Sequence, residues 1–201
     1  MAETTEAADR TQRDQGTQRD QRKQSTEKNR PAHAPGPVPE AAQGAADPAV
    51  TAGVAAPPFE LADQHGAPVS LHGVLRERAA LVMFYPFAFS SICGSELREL
   101  RDALPEFTAA GVQPMCVSCD PIYTLRVYAD QEGFGFPLLS DFWPHGGTAR
   151  SYGVFEADRG CALRGSFLVD RAGTVRWSIV NPLREPRPIA GTVAALALAE
   201  S

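Results

Sequence analysis

The apolar run Ala79-Ala80-Leu81-Val82-Met83-Phe84-Tyr85 constrains this chain more than any other stretch. Its length and bounds read as a buried strand. It runs through Pro86-Phe87-Ala88-Phe89-Ser90-Ser91-Ile92 into Cys93, and a helical pattern follows. Leu97, Leu100, Leu104 and Phe107 recur at i, i+3, i+7 and i+10, which is one face of a helix. A strand, a short loop and a helix in that order place Cys93 in the first turn of the helix. There the sulfur feels unpaired backbone N–H groups and the positive end of the helix dipole. Both favour the thiolate, the nucleophilic form of cysteine.

From about residue 53 onward, strands are expected near 59–61, 68–71, 79–85, 112–119, 136–139, 162–170 and 174–180. Helices are expected near 92–109, 121–132, 146–152 and 188–199. Pro105 interrupts the first helical pattern, so a kink or restart is expected there. Such alternation around a central sheet indicates an α/β domain. The chain has 201 residues, of which 43% are hydrophobic, enough for one core. Net charge is −5, which points to neither nucleic acid nor an anionic membrane surface. No apolar stretch reaches the roughly 18 residues of a membrane span. The opening Met1-Ala2-Glu3-Thr4-Thr5 starts no apolar signal region, so a cytoplasmic protein is expected. Residues 1–52 are polar and charge-balanced at first, then rich in Pro and Ala. They are expected to be a disordered extension ahead of a domain at 53–201.

The segment Pro86, Ser90, Cys93 resembles the peroxiredoxin active-site motif Pro-x-x-x-(Thr or Ser)-x-x-Cys. Three further stretches are similar to that family. Gly53 to Leu71 looks like its opening pattern, with Ala56-Pro57-Pro58-Phe59-Glu60-Leu61 and then Val69-Ser70-Leu71. Phe136-Pro137-Leu138-Leu139-Ser140-Asp141 looks like a strand end of the family. Arg164-Gly165-Ser166-Phe167-Leu168-Val169-Asp170 looks like its arginine-bearing strand. The segments Asp141-Phe142-Trp143-Pro144-His145-Gly146 and Tyr152-Gly153-Val154-Phe155 narrow the resemblance to the one-cysteine alkyl hydroperoxide reductase E type of actinobacteria.

The resemblance implies a thioredoxin-like fold, a central mixed sheet flanked by helices. It implies a thiol-dependent peroxidase acting on hydrogen peroxide and organic hydroperoxides. Cys93 would attack the peroxide, Ser90 would hydrogen-bond thiolate and peroxide, and Arg164 would stand beside the thiolate. Pro86 would shield the site, and Glu96 would occupy an acidic position that often follows the cysteine. No metal or organic cofactor is implied. The implied partners are a peroxide, a low-molecular-weight thiol with a glutaredoxin-like protein or thioredoxin, and a second copy in a homodimer. A peroxide sensor relaying oxidation to a partner, and a thiol–disulfide oxidoreductase, are the competing functions.

Three other cysteines compete for a role. Cys116 and Cys119 spell C-x-x-C, but they fall on an expected strand, where residues three apart face opposite ways. Both are expected to pack the core. Cys161 lies three residues before Arg164, and on a regular strand it would face away from it. A resolving role for Cys161 is the weaker alternative to an outside thiol. The histidines His33, His65, His72 and His145 are expected at the surface. Ionisation alone cannot explain a fast peroxidase. An ordinary cysteine is about 3% thiolate at neutral pH, so full ionisation raises the rate at most roughly thirtyfold. The larger part must come from donors set in place for the transition state.

Overall fold

The structure, a computed structural model, describes residues 49–199. The expected extension therefore lies outside the described residues up to position 48. Ala49 and Val50, just ahead of the boundary expected at 53, pack against the core, and the Val50 N–H donates to the Tyr152 carbonyl at 3.1 Å.

Among the described residues, seven strands form one mixed sheet. They are β1 (Glu60–Ala62), β2 (Pro68–Ser70), β3 (Ala79–Phe84), β4 (Val112–Ser118), β5 (Leu138–Ser140), β8 (Arg164–Val169) and β9 (Val175–Asn181). Their order is β2-β1-β5-β4-β3-β8-β9. The neighbours β3/β4 and β4/β5 are parallel, and the outer pairs are antiparallel. Two-residue strands β6 (Phe155–Glu156) and β7 (Cys161–Ala162) make a separate antiparallel pair.

The helices are α1 (Leu71–Leu75), α2 (Ser91–Asp102), α3 (Leu104–Ala109), α4 (Ile122–Glu132), α5 (Gly147–Ser151) and α6 (Ile189–Ala194). A 3₁₀ turn follows at Ala195–Leu198. They cover both faces of the sheet, which explains why all six residues of β3 are buried. Leu81, Met83 and Tyr85 join α2, α4 and α6 in one core. Ala80, Val82 and Phe84 face α1 and α5 in the other.

The central sheet flanked by helices is the architecture expected. The first helix restarts where expected: α2 ends before Ala103 and α3 begins at Leu104, with Pro105 in its first turn, where its missing N–H costs nothing. Helix α1 was not foreseen. It follows the Val69-Ser70-Leu71 strand pattern directly, and the Ser70 hydroxyl caps it by accepting from the Gly73 N–H. Gly133 ends α4 in the left-handed region at φ 68°, a conformation that suits glycine.

One expectation is corrected. Cys161 and Arg164 do not share a strand. Leu163 donates its N–H to the Val154 carbonyl at 2.7 Å, and this separates β7 from β8. The alternation of faces used to orient Cys161 does not apply across that break.

Phe107 is fully buried under α2 and β4. Phe107→Ala should lower stability by about 3–5 kcal/mol in chemical unfolding, the usual cost of an aromatic cavity.

Candidate active site

Cys93 is the third residue of α2, which leaves the carboxyl end of the central strand β3. The first intrahelical bond runs from the Gly94 N–H to the Ser90 carbonyl at 2.8 Å. The N–H of Cys93 itself precedes that bond and has no partner within the helix. The sulfur is fully buried.

The antiparallel neighbour of β3 brings the first charge. Strand β8 pairs with β3 in a register of Met83 against Ser166. Arg164, two residues before that pairing, begins β8. Its Nη1 lies 3.5 Å from Cys93 Sγ and 2.7 Å from Glu96 Oε2. Its Nε donates to the Leu183 carbonyl at 2.9 Å, which fixes the guanidinium plane. Gly165 follows because the space is taken: a Cβ there would meet Phe167 at 2.9 Å and Val154 at 3.0 Å.

Glu96 lies three residues, just under one turn, beyond Cys93 on α2. It accepts from three donors: Arg164 Nη1, Arg187 Nη2 at 3.0 Å and the Arg187 backbone N–H at 2.6 Å. Arg187 is itself almost wholly buried. Its Nη1 donates to the carbonyls of Phe84 at 2.8 Å and Gly165 at 2.7 Å, and to the Ser166 hydroxyl at 3.1 Å. Burial pulls its pKa below the ordinary value, and the Glu96 carboxylate opposes that pull. Two buried guanidiniums therefore share one carboxylate, and one positive charge is left over beside the sulfur.

The loop between β3 and α2 is tied down separately. Pro86 is buried at its start. The Ala88 N–H donates to the Asp120 carboxylate at 2.8 Å, and the Ser118 hydroxyl donates to the same oxygen at 2.8 Å. Phe89 adopts φ 62°, rare for a bulky residue, just before Ser90, which stands at the N-cap position without a side-chain capping bond. The Ser90 hydroxyl donates to the Phe87 carbonyl at 3.1 Å in this structure. Cys93, Glu96 and Arg164 are thus in contact, while Ser90 turns to its own loop.

All four cysteines are free and buried. Burial pushes the Cys161 thiol up to about 11 and the Cys119 thiol up to about 12, and it raises Cys116 further still. Cys116 lies within the core on β4, and Cys119 lies just past the strand end. His65 and His72 are exposed, and His145 Nε2 sits 2.7 Å from the Gly160 carbonyl. His33 lies outside the described residues. Among the described residues, no three His, Cys, Asp or Glu side chains converge in a way that would hold a metal ion.

Arg187 and Asp120 were missed by sequence reasoning. Arg187 sits 91 residues from Glu96 in Arg184-Glu185-Pro186-Arg187, an ordinary polar stretch. Nothing local marks it, and only its burial sets it apart. Asp120 could have been suspected as a carboxylate directly after a buried strand.

The AhpC/TSA family model matches residues 52–178. The alkyl hydroperoxide reductase E of Mycobacterium tuberculosis is 44% identical over 135 residues, covering 67% of this chain and 88% of that protein. The crystal structure of peroxidoxin BcpB from Mycobacterium tuberculosis superposes with TM-score 0.66 at 28% identity, covering 75% of this chain and 96% of that one. That of Enterococcus faecalis AhpC gives TM-score 0.68 at 26% identity, covering 76% and 93%.

Glu96→Gln keeps the shape but leaves two buried guanidiniums without a counter-charge. It should cost about 3–5 kcal/mol in urea unfolding, far more than an exposed pair would.

Proposed function

The chain belongs to the AhpC/TSA family of peroxiredoxins, and on that premise we propose that it is a thiol peroxidase in which Cys93 alone is oxidised and an outside thiol restores it. The observation that carries this reading is the contact of Arg164 Nη1 with Cys93 Sγ at 3.5 Å, on a guanidinium already held by Glu96 and the Leu183 carbonyl.

The Cys93 thiolate attacks the terminal oxygen of the peroxide. The O–O bond breaks, its electron pair leaves on the alkoxide or hydroxide, and a proton from solvent completes the alcohol or water. Sulfur loses two electrons and becomes a sulfenic acid. Charge grows on the leaving oxygen as the bond lengthens. The surplus positive charge of the Glu96–Arg164–Arg187 cluster stands ready for it, with no reorganisation needed at the moment of reaction. The Cys93 N–H and, after a turn of its hydroxyl, Ser90 would supply further donors. Pro86 limits water at the loop. A thiol then condenses with the sulfenic acid, releasing water and forming a mixed disulfide, and a second thiol frees Cys93.

The resting state of the other thiols supports the one-cysteine route. Burial holds Cys116, Cys119 and Cys161 protonated near neutrality, which makes them poor internal nucleophiles. Glu96 fills the position where a thiol–disulfide oxidoreductase would need its second cysteine. The reductant would be a low-molecular-weight thiol with a glutaredoxin-like protein, or thioredoxin, and the working unit a homodimer. The half-exposed rings of Phe87 and Phe89 would tolerate organic hydroperoxides. No helix among the described residues is long and apolar enough to cross a membrane, and a cytoplasmic site of action is part of this proposal.

The test is rapid-mix oxidation of the reduced protein by hydrogen peroxide, with intact mass after a sulfenic-acid trap. One trap at Cys93 is expected, and a product two hydrogens lighter would replace the outside thiol with an internal one. Cys93→Ser should abolish peroxide reduction. Arg164→Ala should slow oxidation far more than the thiolate fraction changes. A rate that merely follows that fraction would refute the role given to the cluster.

A further inference from the structure

Tyr128 carries a phenol that the fold buries and leaves without a partner. The residue is 1% exposed, and its hydroxyl has no hydrogen bond among the described residues. A buried polar group in that condition needs a reason, because leaving it unpaired costs free energy that a phenylalanine would save. The ring cannot swing to find water. It is held against Phe89 at 4.7 Å between centroids and against Phe134 at 5.2 Å.

Its position is tied to Cys93 in three ways. Phe89, which it touches, belongs to the active-site loop four residues before the cysteine. Tyr128 and Cys93 line the same core. The helix register agrees. Helices α2 and α4 follow the parallel strands β3 and β4 and pack on one face of the sheet, so they run in the same direction. Arg98 on α2 bonds Glu132 on α4 at 3.0 Å. One turn back from each lie Gly94 and Tyr128, which puts the phenol level with the first turn of α2.

The hydroxyl makes no hydrogen bond to Sγ, whose partner is Arg164. Yet the two groups are near enough that charge on Cys93 adds to the burial that pushes the phenol's ionisation upward. The phenol therefore stays protonated and remains a donor. Tyr85 also has an unpartnered hydroxyl, but the groups acting on it are Ser118, Asp120, Cys116 and Tyr128, and Cys93 is not among them.

We propose that the Tyr128 hydroxyl donates a hydrogen bond to the oxygen that Cys93 takes from the peroxide. The donor has no partner before the reaction and gains one as the S–O bond forms and the O–O bond breaks. It exchanges no proton or electron; the oxygen it meets is the one transferred to sulfur, first in the transition state and then in the sulfenic acid. An interaction gained only along the reaction speeds the chemical step. This rests on the reading of Cys93 as the peroxide-reducing thiol.

Tyr128→Phe removes the hydroxyl and nothing else. Oxidation of the full-length chain by hydrogen peroxide is followed by rapid mixing as a function of pH. The limiting rate at high pH should fall roughly two- to tenfold, the worth of one hydrogen bond between uncharged groups, while the pH midpoint stays in place. An unchanged limiting rate overturns the proposal. So does a fall accompanied by a displaced midpoint, which would mean that the Glu96–Arg164–Arg187 cluster had been disturbed. Resonance Raman of the unsubstituted protein provides a second readout, because the tyrosine doublet reports phenol hydrogen bonding. The doublet should change when one equivalent of peroxide is added, and no change overturns the proposal. If the unsubstituted chain shows no oxidation at Cys93, the peroxidase reading falls first and takes this one with it.

Discussion

The Glu96 carboxylate is the interaction on which the site depends. It is wholly buried, and it is ligated by two guanidiniums and one backbone N–H. Burying such a group is costly unless every partner is in place. Glu96 stands on α2 and its partners come from β8 and from the segment entering α6, so the cluster joins three separate parts of the chain. Arg187 extends the linkage to the Phe84 carbonyl at the end of β3. The same contacts that stabilise the fold aim Arg164 at Cys93.

That arrangement sets the surroundings of Cys93 apart from those of the three other buried cysteines. Burial raises the thiols of Cys116, Cys119 and Cys161, and at Cys116 it outweighs the lowering pull of the Arg187 charge. Cys93 instead meets a helix N-terminus and a cluster with one positive charge to spare. Two guanidiniums and one carboxylate leave this buried set one positive charge in excess.

How much of this was legible in the sequence differs from one element to the next. Strand β3 and helix α2 stand out because seven apolar residues and a 3.6-residue repeat report local periodicity. The restart at Pro105 was legible because proline forbids a particular backbone bond. Helix α1 was hidden, since Leu71-His72-Gly73-Val74-Leu75 is one short turn directly continuing a strand pattern. The break between β7 and β8 was hidden too, because a hydrogen bond from Leu163 to Val154 creates it, and neither residue marks it.

By itself the sequence determined that a strand delivers Cys93 to a helix N-terminus, because strand, loop and helix are each set by neighbours a few residues apart. The matching segments around it determined the family. Only the tertiary structure decided that Arg187 completes the cluster, that Asp120 holds the loop before Cys93 and that the Tyr128 hydroxyl is buried. Those contacts join residues from 32 to 103 positions apart, and they exist because sheet pairing and helix packing bring their elements together. A local pattern cannot encode them, since the free energy that forms them is gained only when the whole core closes.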